Sequence, residues 1–267
     1  MTWASWRSAT ARFGETTRRI DYAIAALLLA TAPAAAQESV QTVDSWRFSL
    51  TPYMWFSGVS GEVALPRESR DVEADFGDIL SSLQIGAMGI FEARRGRFGL
   101  VVDAMTLTTE QDVSTPRGVL FNGGTSRMTA TELSMVGLVR VGETPSWSLD
   151  LGAGLRGWWI DSKLSLNSGV AAARSASGTA NVLDPLLAVR YKVNLAERIG
   201  FSTYVDIGGF KTGSRLTWQV IAALDWQATD RITAHLGYRH IEVELSRGAV
   251  DLDIALSGPI IGGTFRF

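Results

Sequence analysis

Residues 46–56, WRFSLTPYMWF, alternate between apolar and polar side chains almost without interruption. One set of alternate positions holds Trp46, Phe48, Leu50, Met54 and Phe56, and the other holds Arg47, Ser49, Thr51 and Tyr53. Because successive side chains of a β-strand point to opposite faces, this spacing predicts a strand with one apolar and one polar face. The apolar recurrence at every third and fourth position that marks a helix is hard to find after this stretch.

The same alternation recurs in nine later segments, so the sequence predicts ten strands and an all-β fold. These segments are 83–93, 98–109, 129–141, 147–160, 181–193, 199–210, 216–227, 232–245 and 250–267. Most are long enough to cross a bilayer, where a tilted strand needs roughly 9–11 residues. The pattern leaves eight or twelve strands open, the latter if residues 62–65 pair with residues 71–74.

The predicted connections alternate between tight turns and longer, more polar loops. The tight turns are 94–97, 142–146, 194–198 and 228–231. The long connections are 58–82, 110–127 and 161–180, and two shorter ones, 211–215 and 246–249, lie on the same side. Short turns at one end and longer loops at the other are typical of antiparallel up-and-down barrels that span an outer membrane.

The aromatic residues indicate that the apolar face points outward, into lipid. They fall near both ends of the predicted strands, at Trp46, Phe98, Trp147, Trp159, Tyr191, Trp218, Trp226 and Tyr238. Such rings form girdles at the two bilayer interfaces, whereas a soluble core would concentrate them in the middle of the strands. We therefore expect a transmembrane β-barrel rather than a soluble sandwich with its apolar face inside.

The end of the chain supports the same orientation. Phe265-Arg266-Phe267 closes the last strand with two outward aromatics. The ending resembles the assembly signal of outer-membrane barrels, which has a glycine five residues before a final aromatic and a second aromatic two residues before it. Gly262, Phe265 and Phe267 match this pattern, while Ile260 replaces the polar residue that usually precedes the glycine.

The first 36 residues have the features of a secretory signal peptide. Four arginines precede the apolar run 23–30, and the small residues Ala34 and Ala36 predict cleavage before Gln37. Cleavage would remove four basic and two acidic residues and change the formal net charge from −2 to −4. We expect residues 37–45 to be a periplasmic segment and residues 46–267 to be the barrel domain, located in the outer membrane.

The chain resembles an uncharacterised family of proteobacterial outer-membrane β-barrel proteins, which are small and porin-like. The resemblance covers about 220 residues and is carried by 46–53 (WRFSLTPY), 91–97 (FEARRGR) and 257–259 (SGP). These motifs are structural, so the resemblance implies a fold and a location and provides no catalytic residue.

The alternate positions that hold polar side chains in each predicted strand form its polar phase, and the charged residues of this phase are expected to face the lumen. They are Arg47, Glu92, Asp103, Glu132, Arg140, Asp150, Arg156, Asp184, Arg190, Asp206, Asp225 and Arg239. Charges inside a barrel are costly unless they pair or meet water. One interpretation is a cross-strand lattice of salt bridges that fills the lumen, and the other is a polar pore that selects small solutes.

Few residues suggest chemistry. Small barrels that deacylate lipid A keep a Ser/His/acid group on the outer wall, and His240 lies near Glu242, Glu244 and Ser246. The apparent change of phase between Arg239 and Ile241 indicates either a bulge or the edge of the membrane at that point. The acids of connection 58–82 lack the spacing of a calcium loop, and the absence of cysteine excludes disulfides and thiolate metal sites. We expect no catalytic residue, metal or cofactor.

The sequence thus predicts an outer-membrane barrel with a structural or porin-like role, with passive passage of small solutes if a pore exists. The alternatives are a lipid-A-modifying hydrolase and an adhesin or receptor that acts through its loops. The expected partners are outer-membrane lipid and lipopolysaccharide and the barrel assembly machinery. The formal net charge of −2 gives no reason to expect nucleic acid. The oligomeric state does not follow from the sequence.

Overall fold

The computed structural model describes residues 45–65, 68–115, 120–247 and 250–267. The predicted signal peptide and nearly all of the predicted periplasmic segment lie outside these residues. Within the described residues, twelve strands and one short helix α1 (Phe76–Ser82) follow one another along the chain. The strands are β1 (Arg47–Trp55), β2 (Gly58–Leu65), β3 (Glu68–Ala74), β4 (Leu83–Arg95), β5 (Phe98–Val113), β6 (Phe121–Glu143), β7 (Trp147–Ser168), β8 (Arg174–Ala196), β9 (Ile199–Gly208), β10 (Leu216–Gln227), β11 (Ile232–Arg247) and β12 (Val250–Arg266).

Ten of these strands close into an antiparallel barrel. Strand β1 pairs with β4, each strand from β4 to β12 pairs with the next, and β12 returns to pair with β1. The closing seam sets Leu50 opposite Phe265 and Tyr53 opposite Gly262. The prediction of a closed ten-stranded barrel is confirmed.

The first long connection forms a hairpin rather than an irregular loop. Strand β2 continues from β1 along the outer part of β12, with Gly58 opposite Ser257. Strand β3 pairs only with β2, so the hairpin enlarges the sheet to twelve strands without adding to the ring. Helix α1 begins at a capping box in which Asp75 accepts a hydrogen bond from the Asp78 backbone. Two acids considered for calcium therefore cap a helix instead. Within the described residues, no helix is long and apolar enough to cross a membrane.

Two of the predicted long connections were wrong. Strands β5, β6, β7 and β8 contain 16, 23, 22 and 23 residues and together extend through most of the stretches predicted as loops 110–127 and 161–180. Their backbone ladders continue where neither face of the sheet is buried. There, backbone hydrogen bonds sustain the strand, and the side chains no longer need to alternate.

The outer wall of the barrel is apolar around its circumference. Its exposed side chains include Leu50, Leu100, Met135, Leu155, Leu187, Leu224, Leu236 and Ile261. The aromatics predicted for the interfaces lie on this outer face, with Trp46, Phe98, Trp226 and Tyr238 each more than half exposed. A continuous apolar surface of this size does not occur on a monomer that stays in water, so it needs a covering of lipid or protein.

Glycine permits close contact between neighbouring strands where the wall bends. A Cβ atom placed on Gly154 in β7 would lie 2.1 Å from the Met135 carbonyl oxygen of β6. Any larger residue would force these two strands apart. The glycines of the polar phase therefore allow the tight curvature of a ten-stranded ring.

Candidate functional site

The lumen contains a cavity of about 950 Å³ at the end that carries the short turns. We call it the vestibule. Its mouth is lined by turn residues that include Glu197, Arg198 and Arg231, and its inner end by Tyr53, Asp103 and Arg239. Residues Trp55, Trp158 and Ile241, which lie farther along the lumen, are not part of its lining.

Positive charge predominates in the vestibule lining. It holds nine cationic side chains, Arg47, Arg94, Arg140, Arg190, Lys192, Arg198, Arg231, Arg239 and Arg266. It holds four carboxylates, Glu92, Asp103, Glu197 and Asp225. Three of these carboxylates are engaged by arginine or histidine of the wall.

One group of paired charges lies on the vestibule wall, and we call it the inner cluster. It consists of Glu92, Arg94, Arg140, Asp150 and Arg190, on β4, β6, β7 and β8. The buried Asp150 accepts from Arg94 at 2.9 Å, from Arg140 at 2.5 Å and from Arg190 at 2.8 Å. Arg190 also forms a bidentate ion pair with Glu92, with hydrogen bonds of 2.8 and 2.9 Å. The three guanidinium groups share the carboxylates of Asp150 and Glu92. Arg140 also pairs with Glu143, so the charges of this group are balanced.

A second group crosses the lumen at the end of the vestibule, and we call it the central layer. Its members are Tyr53, Asp103, Glu132, Arg156, Asp206, Gln219 and Arg239. Arg156 donates to Asp206 at 2.6 Å and lies 3.4 Å from a Glu132 oxygen. Arg239 donates to Tyr53 at 2.7 Å and to Gln219 at 3.0 Å, and its distance to Asp103 is 3.0 Å. Gln219 in turn donates to Asp206, which joins the two arginines into one network.

The charged side chains of the central layer are shielded from solvent. Glu132 and Arg156 are 0% exposed, and Arg239 is 1% exposed. Groups this deeply buried form strong ion pairs but cost much to desolvate. Among the described residues, Glu132, Asp206 and Arg239 each keep one buried polar atom without a hydrogen-bond partner.

An apolar layer lies next to the central layer, on the side away from the vestibule. It is formed by Trp55, Trp158, Val182, Ile241 and Val243. The Arg239 guanidinium lies 4.9 Å from the Trp55 ring centroid and joins the two layers. The predicted change of phase in β11 was wrong, because the pairing of β11 with β12 runs without a shift. Arg239, Ile241 and Val243 keep one phase, and the apolar members point into the lumen instead of toward lipid.

Two other predicted lumenal acids have different roles. Asp184 accepts hydrogen bonds from the backbone nitrogen and the hydroxyl of Ser214, at 2.6 and 2.8 Å. It thereby holds the β9–β10 connection against the barrel. Asp225 lies 2.8 Å from Nδ1 of His235, whose Nε2 lies 2.7 Å from the Thr264 hydroxyl.

A separate polar group lies on the outer wall. Nδ1 of His240 is 2.5 Å from the Ser257 hydroxyl across the β11–β12 pair, and its Nε2 is 3.6 Å from a Glu242 oxygen. The Trp218 ring packs over the imidazole at 4.7 Å. The side chain of Ser246, the serine considered from sequence, lies outside the described side chains, so the serine that reaches His240 is Ser257.

Among the described residues, one group of three acids brings carboxylate oxygens within 4.8 Å of one another, namely Glu242, Glu244 and Asp253. Strand register explains the grouping, since Glu244 lies opposite Asp253. Exposed acids commonly cluster without a metal, so this grouping alone does not indicate a metal site.

The structure thus distributes the predicted lumenal residues among five places, and Arg47 lies in the vestibule lining outside both groups. Glu92, Arg140, Asp150 and Arg190 belong to the inner cluster, and Asp103, Glu132, Arg156, Asp206 and Arg239 to the central layer. Asp225 lies beside His235, and Asp184 holds a loop. Sequence reasoning missed Tyr53, Gln219 and Ser257; Tyr53 could have been found, because it occupies the polar phase of β1.

Comparison with known proteins supports the fold and identifies no family. No family model matches the chain, and no curated protein does. Outer membrane protease OmpT from Escherichia coli is similar in structure, with a TM-score of 0.62 at 9% identity over 87% of this chain and 100% of OmpT. The translocator domain of autotransporter NalP from Neisseria meningitidis matches at a TM-score of 0.42 and 12% identity, over 97% of each chain. Attachment invasion locus protein Ail from Yersinia pestis matches at 0.35 and 10%, over 84% of this chain and 100% of Ail.

The likeness to OmpT concerns the fold, because 9% identity does not carry an activity from one barrel to another. The chain has the closed antiparallel architecture of Gram-negative outer-membrane barrels. The function has to be argued from its own lumen and wall.

Proposed function

We propose that this protein is an outer-membrane β-barrel whose lumen is closed at rest. Porin-like passage of small solutes then requires the central layer to rearrange. The location in the outer membrane, the membership of the proteobacterial barrel group and the contact with lipopolysaccharide are parts of the same proposal. The cleaved leader and the use of the barrel assembly machinery, inferred from both chain ends, belong to it as well.

The proposed location is supported by the wall. Exposed leucine, methionine and isoleucine surround the barrel between two sets of aromatics, as a bilayer requires. In lipid every backbone group must be hydrogen-bonded, and the pairing of β12 with β1 leaves the ring without an open edge.

The proposed closed state depends on one observation, the burial of the charged side chains that cross the lumen. Water does not reach Arg156 or Glu132, and the apolar layer adds a second barrier behind them. The partnerless atoms on Glu132, Asp206 and Arg239 favour a rearranging layer. A buried polar atom without a hydrogen-bond partner costs about 1–3 kcal/mol of stability. Rearranging a layer that already contains such atoms therefore loses less stabilising free energy than rearranging a fully hydrogen-bonded layer.

Planar-bilayer recording of the refolded protein tests this proposal. We expect the wild type to show no sustained conductance. The double variant Arg239→Ala/Trp55→Ala should conduct. Arg239 belongs to the central layer and Trp55 to the apolar layer, and the two side chains are stacked, so the variant opens both layers at the same place. The charge and size of permeant solutes then measure the opened path.

A matched control removes one arginine and one tryptophan outside the two layers. Arg94→Ala with Trp226→Ala affects the inner cluster and the outward surface only, so it should stay closed. Folding of each variant is checked by its mobility on gels before and after heating. A steadily conducting wild type, or an equal response of both double variants, would contradict the closed state.

A second candidate function is ester hydrolysis on the outer wall, supported by the contact of Ser257 with His240. A histidine base within hydrogen-bond reach of a hydroxyl is the central part of the arrangement that activates a nucleophile. Glu242 lies 3.6 Å from the other ring nitrogen, just beyond hydrogen-bond reach. In this reaction the Ser257 oxygen attacks the carbonyl of an acyl ester in lipid A, and His240 takes its proton. His240 then protonates the departing alcohol, and water releases the acyl group from Ser257.

The lipid A profile of cells expressing the protein tests this second function. Ser257→Ala and His240→Ala should each return the profile to that of cells lacking the protein. His235→Ala is the matched control, because His235 faces the lumen and should leave the profile unchanged. Identical profiles with and without the wild-type protein would exclude lipid A hydrolysis.

A further inference from the structure

Four cations of the vestibule have no carboxylate within ion-pair distance in the described part of the chain, although Glu92 and Asp225 lie near enough to interact with Lys192. Arg47, Lys192, Arg198 and Arg231 line the cavity, are exposed, and form no side-chain hydrogen bond or ion pair within 4 Å. Arg266 lines it as well and donates only to uncharged oxygens, those of Thr233 and of the Asp230 backbone.

Three of the vestibule carboxylates have closer partners than these cations. Glu92 is held by Arg190 and Arg94, and Asp103 by Arg239. Asp225 is held by His235 and Ser202. Glu197 alone among the four lining carboxylates forms no such pair among the described residues.

Strand register places like charges near one another. Arg47 lies opposite Arg94 across the β1–β4 pair, and Lys192 shares a strand face with Arg190, two residues away. Charges of one sign repel, and a cavity with low-dielectric walls concentrates their field on its interior. The vestibule therefore attracts negative charge.

We propose that the vestibule is a binding site for a small polyanion that carries two or more phosphate or carboxylate groups. Arg47, Lys192, Arg198, Arg231 and Arg266 would contact it. Guanidinium groups match the oxygens of such anions in pairs, and a lysine adds a mobile point charge. The cavity volume of about 950 Å³ accommodates a small organic anion with its water.

This site does not depend on opening of the lumen, since the vestibule lies on one side of the central layer. Binding is therefore measured at equilibrium on the full barrel in neutral detergent micelles, by titration calorimetry at low ionic strength. Inorganic pyrophosphate and citrate are the probes for the phosphate and carboxylate classes, and glucose is the uncharged comparison. We expect one or both polyanions to bind and glucose not to bind.

The double variant Arg47→Gln/Lys192→Gln should lower the association constant at least about tenfold, because two unit charges leave the cavity. Raising the salt concentration should weaken wild-type binding for the same reason. Lys163→Gln/Arg174→Gln removes the same charge from the far ends of β7 and β8 and should keep the affinity within about twofold. Both pairs of residues are exposed, and gel mobility verifies that each variant is folded.

Binding by only one polyanion supports the site and assigns its class. Absence of binding by both, or equal weakening in the two double variants, overturns it. The calorimetric test does not measure conductance. A conducting wild type would therefore contradict the closed lumen without contradicting the anion-binding site.

Discussion

The inner cluster and the central layer contain the same residue types and differ in their access to water. In the inner cluster Glu92 and Arg140 are partly exposed to the vestibule, and Asp150 has three arginine partners. In the central layer Glu132, Arg156 and Arg239 are cut off from solvent. Ion pairing alone therefore does not determine how much a charged residue contributes to stability, because access to water differs between the two groups.

The physical reason is the cost of an uncompensated charge. Where water reaches a cluster, it solvates whatever a mutation leaves unpaired, and other arginines remain nearby. Where water is excluded, a charge that loses its partner keeps its whole desolvation cost. The two regions should therefore respond very differently to the loss of one arginine.

The largest effect is expected for Arg239→Ala in the central layer. It leaves Asp103 buried without its arginine and removes the donor to Tyr53 and Gln219. The free energy of unfolding should fall by about 3–5 kcal/mol. Urea unfolding of the protein in lipid vesicles, followed by tryptophan fluorescence, measures it.

Removing both charges sharpens this prediction. Arg239→Met with Asp103→Leu should recover most of the lost stability, since well-packed apolar pairs replace buried ion pairs at little cost. A double variant as unstable as Arg239→Ala would show that packing, rather than the orphaned carboxylate, causes the loss.

Ile241→Ala in the apolar layer should have the next largest effect. Ile241 is 0% exposed within the lumen, so its truncation leaves a cavity that neighbouring side chains fill only partly. We expect a loss of about 2–4 kcal/mol in the same unfolding assay. Leu236→Ala on the same strand is the control, because its side chain is 61% exposed on the outer wall and lipid refills the space. Equal losses of unfolding free energy in Ile241→Ala and Leu236→Ala would show that the Ile241 side chain is not enclosed in a closed lumen.

The smallest effect is expected for Arg190→Gln in the inner cluster. Arg94 and Arg140 continue to pair with Asp150, and water reaches Glu92. The expected loss of unfolding free energy is about 1–2 kcal/mol. A loss as large as that of Arg239→Ala would remove the distinction between the two clusters.

The ring of ten strands was predictable because contact with an apolar surrounding imposes a strict period of two on the wall. The period failed to locate the ends of β6, β7 and β8, where backbone hydrogen bonds extend the ladder with both faces in water. It also misplaced Ile241, because an apolar residue that points inward looks the same in a sequence as a change of phase.

The partners within the site were less predictable than its members. The pairs Arg156–Asp206 and His240–Ser257 join residues that are 50 and 17 positions apart. Which residues face each other depends on the register between strands and on the curvature of the ring. Neither property is encoded in the alternation along a single strand.

The unequal lengths of the strands give the barrel an oblique rim. At roughly 3.3 Å per residue, β8 is about 75 Å long and β9 about 33 Å. With a tilt near 40°, these lengths correspond to heights of about 57 and 25 Å, against an apolar band of about 25 Å. In the proposed membrane, β9 ends near the lipid surface while β6, β7 and β8 rise about 30 Å higher, into the sugar layer of lipopolysaccharide. This side of the molecule would then be what antibodies, phages and neighbouring cells meet first.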